Sequence, residues 1–172
     1  GALGLLLTLP IVASELVIKI TEGVDSPVPV AIVPFNWDGA KGLPEDVAKV
    51  IQSDLENSGQ FKAIKRSSML SFPHTEADVY YRDWRYLNTE YLVLGMVSQV
   101  PTGYRIKYEL FDIYREKRLA AGQVTGVRRN LRRLAHEVSD ILFEQLTGLR
   151  GAFSTRIAYV SADRKINPSF YR

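Results

Sequence analysis

The chain has 172 residues, 46% of them hydrophobic and 24% charged, with a formal net charge of +3 from 22 basic and 19 acidic side chains. That length suits one well-packed domain, and the apolar content excludes bulk disorder. The near balance of charge gives little drive toward nucleic acid or anionic lipid. The lack of cysteine removes disulfides, thiolate nucleophiles and thiolate metal sites together.

At the amino end, residues 3–12 form an uncharged apolar run followed by the small-residue sequence Val12-Ala13-Ser14. The run is too short to span a bilayer, which needs about 20 apolar residues, and it reads as the end of a signal peptide. No basic stretch precedes Gly1, so residues 1–14 are expected to be a partial signal, with a mature chain beginning near Glu15. Residues 15–21 then place Leu16, Ile18 and Ile20 on one face of an extended segment, with Glu15, Lys19 and Thr21 on the other. Pro27 and Pro29 interrupt before Val30-Ala31-Ile32-Val33, an apolar run that fits a strand buried on both faces, and Pro34 is expected to end its pairing.

Pro44 fits a first helical residue, and Val47, Val50, Ile51 and Leu55 recur at helical spacing until Asn57-Ser58-Gly59, which predicts a helix over 44–58. A short strand at 61–65 and a loop at 67–75 follow. A helix is predicted over 77–87, with Tyr80, Trp84 and Leu87 on its apolar face and Asn88-Thr89 as its stop. Three strand-like runs come next, at 91–99, 104–114 and 118–125. Pro101-Thr102-Gly103 and Arg115-Glu116-Lys117 supply the turns, so an antiparallel meander is the simplest arrangement. In its middle strand Ile106, Tyr108 and Leu110 alternate with Arg105, Lys107 and Glu109, which predicts one solvated face. The longest periodic segment, 129–147, carries Leu131, Leu134, Ala135, Val138, Leu142 and Leu146 as one stripe and stops at Gly148. Arg156-Ile157-Ala158-Tyr159-Val160 alternates like a further strand.

Catalytic chemistry finds few candidates. His74 and His136 are the two histidines, about sixty positions apart with no second histidine near either, and neither has a serine elbow or a cysteine to activate. Asp112 stands alone. Asp140 and Glu144 share a helix face, a pattern expected of a hydrated surface. The glycines form no phosphate-cradling loop, so no cofactor is implied. Arg128, Arg129, Arg132 and Arg133 crowd the start of the last helix, where the dipole disfavours cations. One reading is a basic nucleic-acid-binding patch; the other, favoured by the overall charge balance, is a face offset by nearby acids. The segment of Glu15, Leu16, Val17, Ile18, Lys19, Ile20, Thr21 and Glu22 is the more interesting candidate. A strand at a processed amino terminus can add to a partner's sheet edge through main-chain hydrogen bonds, or it can pair with its own sheet.

Leu131-Arg132-Arg133-Leu134-Ala135-His136-Glu137-Val138-Ser139-Asp140-Ile141-Leu142-Phe143-Glu144-Gln145-Leu146-Thr147-Gly148, with Gly151-Ala152-Phe153 and Thr155-Arg156-Ile157-Ala158-Tyr159-Val160, resembles the TolB family. Ala31-Ile32-Val33-Pro34-Phe35, the run 54–61 and the run 104–112 carry the same resemblance. It implies an α/β domain (α+β type) over 15–150, a mixed β-sheet packed against two main helices, followed at 151–172 by a linker and the truncated first strand of a β-propeller. It also implies a non-catalytic periplasmic protein of the Tol-Pal system, which maintains outer-membrane integrity, acts in envelope constriction at cell division and is exploited by imported bacteriocins. The implied partners are the C-terminal domain of TolA, bound through Glu15 to Glu22, and Pal, bound through the propeller.

Overall fold

The computed structural model describes residues 26–127 and 130–155. The strands expected at 15–21 and 156–160, and Arg128 and Arg129 of the basic cluster, lie outside the described residues.

The apolar run after Pro29 becomes an interior strand of the sheet. Strand β1 (Val28–Ile32) is hydrogen-bonded in parallel to β3 (Phe61–Ala63) on one side and to β4 (Tyr91–Val100) on the other. A strand covered on both faces must be apolar at every position, and Val30, Ala31, Ile32 and Val33 are all buried. Pro34 interrupts the ladder but does not end it. Asn36–Trp37 form a two-residue strand β2 that pairs with β4 again, in parallel, at Met96 and Val97. The chain steps past the proline, which cannot donate, and Phe35 fills the step by lying over Gly95.

The meander follows as expected: β4, β5 (Gly103–Asp112) and β6 (Lys117–Val127) are antiparallel neighbours, and the sheet order is β3-β1-β4-β5-β6. Helix α1 (Val47–Asn57) and helix α3 (Leu131–Thr147) cover one face. Val47, Val50, Ile51 and Leu55 of α1 and Leu131, Leu134, Ala135, Val138 and Leu142 of α3 close on Val30, Ile32, Val93, Val97, Ile106 and Leu110 of the sheet. Each such Leu, Ile or Val contributes about 1.5–3 kcal/mol on full burial, so this face holds the main core. The helix predicted over 44–58 starts later than its proline suggests. Asp46 is the N-cap, its carboxylate accepting from the Lys49 amide, because a side-chain oxygen satisfies an orphan amide where Pro44 merely tolerates the position.

A second, smaller core lies on the opposite face, where Ala31, Val33, Leu92, Leu94, Phe111 and Ile113 meet Val79 and Trp84. The helix predicted over 77–87 divides here. A capping box between Thr75 and Asp78 closes a short 3-10 turn at Glu76–Asp78, and α2 (Tyr81–Tyr86) starts afresh. Trp84 is buried as expected, whereas Tyr80 points out at 68% exposure and Val79 takes the buried place. Arg85 to Glu116 (2.7 Å) and Arg118 to Glu76 (3.1 Å) tie this layer to the β5–β6 end of the sheet. The mixed sheet with two main helices is thus observed, with α2 as a third, short helix on the far side.

Candidate partner-binding surfaces

The segment Glu15, Leu16, Val17, Ile18, Lys19, Ile20, Thr21 and Glu22 lies outside the described residues, so its own contacts are not at issue. Its attachment is. The chain enters through exposed Ser26 and Pro27 directly into β1, whose two sides are already occupied by β3 and by β4. Among the described residues β3 and β6 are the end strands of the sheet order, and β2 pairs on one side alone, with β4.

The titratable side chains that drew attention in the sequence fall into structural roles. His136 and Asp54 form a pair between α3 and α1, Nδ1 to Oδ2 at 2.7 Å, with the Asp54 residue 8% exposed. The pair fastens α3 to α1, and the buried aspartate is the half of it that the sequence does not announce. Asp112 accepts from the Arg115 amide (2.8 Å) in the β5–β6 turn. Asp140 departs from expectation: instead of facing water beside Glu144, it accepts the amides of Phe153 (2.6 Å) and Ser154 (3.1 Å), because the chain after α3 folds back along the helix. His74 is exposed on the loop that the sequence places at 67–75, at the rim of a cleft of about 220 Å³ floored by Leu94, Gly95 and Met96. Lys107, Glu109 and Asn36 share that rim. Nearby, the side-chain hydrogen bond from Thr75 and the added backbone amides hold the Asp78 carboxyl below its ordinary 3.8. Burial raises the Tyr108 and Tyr91 hydroxyls above their ordinary 10.0. None of these groups forms a nucleophile-and-base pair with its neighbours, and among the described residues no three metal-ligating side chains cluster.

The described part of the basic cluster is largely neutralised. Arg132 reaches Glu45 at 3.2 Å and Arg133 pairs with Glu137 at 2.6 Å, one turn along α3. These acids offset the unfavourable dipole at the helix start.

The family model of the TolB amino-terminal domain matches residues 16–119. The chain belongs to the TolB family. The match begins at Leu16, inside the amino-terminal segment singled out above, and runs through β5 into β6. A Tol-Pal system protein TolB from Marinomonas sp. is 48% identical over 152 residues, covering 87% of this chain and 35% of its own length. One from Alcanivorax borkumensis is 47% identical over 152 residues, covering 88% and 35%. The crystal structure of TolB from Acinetobacter baumannii superposes with a TM-score of 0.65 at 27% identity, covering 76% of this chain and 31% of that one. The chain therefore spans about a third of the length of these TolB relatives. The sheet order and the two-helix layer described above are the TolB amino-terminal fold. Among the described residues, no helix is long and apolar enough to cross a membrane.

Proposed function

We propose that this TolB-family chain is a periplasmic component of the Tol-Pal system that works by protein–protein contact, without catalysis. Glu15 to Glu22 is the surface that binds the C-terminal domain of TolA. The observation that carries the reading is the extent of the family match, which starts at Leu16 and so counts the amino-terminal segment as part of the domain. The chemistry supports it: a segment with Leu16, Ile18 and Ile20 on one side can supply main-chain hydrogen bonds to a sheet edge and three side chains to pockets. β1, the strand that follows the segment, is flanked on both sides and offers it no free edge. Residues 15–150 form the domain, residues 1–14 the remnant of an export signal, and residues 151–172 the linker and opening of a propeller whose remainder binds Pal. Through these contacts the chain takes part in outer-membrane integrity and in constriction at division.

The test is deletion of residues 15–22, with calorimetric titration against the TolA C-terminal domain. Affinity should fall at least about 100-fold while the circular dichroism of the domain is unchanged. Undiminished affinity would refute the assignment.

A further inference from the structure

We propose that residues 148–155 form a fixed joint, clasped by the Asp140 carboxylate, that holds the chain leaving this domain in one orientation relative to α3. Gly148 ends α3 in the left-handed region, φ 73°, and its amide bonds back to the Glu144 carbonyl at 2.8 Å. That cap alone is enough to stop a helix. The chain then does more than leave.

Leu149 donates its amide to Thr147 Oγ1 at 3.0 Å, and the strand of chain returns along α3 so closely that a Cβ at Gly151 would come 2.5 Å from the Asp140 Cα. Both Asp140 oxygens are then used, Oδ1 by the Phe153 amide and Oδ2 by the Ser154 amide. A carboxylate taking two backbone amides in a shielded position makes charge-assisted bonds, the stronger kind. The Phe153 ring packs edge-on to Phe143 at 5.5 Å, and Phe143 packs edge-on to Phe61 of β3 at 6.3 Å. Thr155 Oγ1 closes the turn on the Ala152 carbonyl at 2.6 Å.

These contacts fix the chain after the helix, not the helix itself. α3 is in turn fastened to α1. Arg132, His136 and Asp140 recur every four residues along α3; the first reaches Glu45 just ahead of α1, the second reaches Asp54 within it, and the third holds the returning chain. One polar stripe thus links α1, α3 and the exit segment as a single body. The chain spans about a third of the length of its TolB relatives; on the function proposed above residues 151–172 lead into a propeller, and a fixed joint there transmits the domain's orientation to it.

Cysteine is absent from the sequence, so paired labels can be placed without background. Spin labels at Lys49→Cys in α1 and at Ala152→Cys, an exposed position whose carbonyl and not its side chain joins the turn, report the exit orientation by pulsed dipolar spectroscopy. The labelled parent should give one narrow distance. Asp140→Ala should at least roughly double the width, and Gly151→Val, whose Cβ would come 2.5 Å from the Asp140 Cα and 2.6 Å from its Oδ1 and so pushes the returning chain off the carboxylate, should do the same. Helical circular dichroism should be unchanged in both. A broad distribution in the parent, or an unchanged width in both variants, would overturn the joint. Broadening together with global loss of helix signal in both variants would also overturn it, since the contacts would then be core and not coupling.

Discussion

Gly95→Ala tests how the sheet accommodates Pro34. An alanine Cβ at 95 would come 2.1, 2.3 and 2.4 Å from the Cε2, Cζ and Cδ2 atoms of Phe35. Real Cβ atoms do not approach so near, and Phe35 is 9% exposed in the main core, so its ring has to shift within packed surroundings. Overpacking of this kind costs about 1–3 kcal/mol, with full expulsion of the ring setting a ceiling of about 3–5 kcal/mol. In a Phe35→Ala background the clash is gone. There the same change should stabilise by about 0.4–1 kcal/mol, because alanine restricts the unfolded chain. The coupling between the two positions is therefore roughly 1.5–4 kcal/mol, large enough to read in a double-mutant cycle. Urea denaturation followed by tryptophan fluorescence would measure it, Trp84 being buried at 1% exposure. If Gly95→Ala costs the same with and without the Phe35 ring, the β1–β2 step is not held as described.

His136→Ala should destabilise the domain by about 1–3 kcal/mol, since it leaves the buried Asp54 carboxylate without its partner, and Asp54→Asn should lose less; chemical denaturation decides. Thr75→Val should raise the Asp78 carboxyl back toward 3.8, read by carboxyl chemical shifts. A depressed aspartate stabilises above its unfolded value and loses that contribution as pH falls through its folded one, so the Thr75–Asp78 box should loosen only on the acid side of 3.8. A nucleic-acid role for the arginine cluster predicts steep salt-dependent affinity for RNA or DNA. With Arg132 and Arg133 paired to Glu45 and Glu137, a flat titration is expected, and a steep one would reinstate that role.

Much of this architecture is legible in the sequence because it is written in local chemistry. Pro101 and Thr102 set a tight turn, so β4 and β5 pair in register from Val100 and Gly103 down to Tyr91 and Asp112. The stripe on α3 and the stop at Gly148 need only helical spacing and a residue that accepts positive φ. What escapes is tertiary. β2 exists because Gly95, sixty residues on, leaves room for Phe35; nothing near Pro34 announces it. The break between Val79 and Tyr80 depends on the Thr75–Asp78 box, which competes with a continuous helical pattern. Asp140 reads as a surface acid from its own neighbours, and becomes a clasp only because the chain doubles back thirteen residues later. The amino-terminal segment is the reverse case: its alternation is plain at sequence level, and in the function proposed above its meaning depends on a second protein.

Backbone hydrogen exchange with and without the TolA C-terminal domain tests the central claim most directly. Strand addition predicts that amides within residues 15–22 gain at least about tenfold protection on mixing, in the alternating pattern of a new ladder, while β1 to β6 change little. Protection appearing instead along α3 or the outer side of β6, with residues 15–22 exchanging as before, would contradict it.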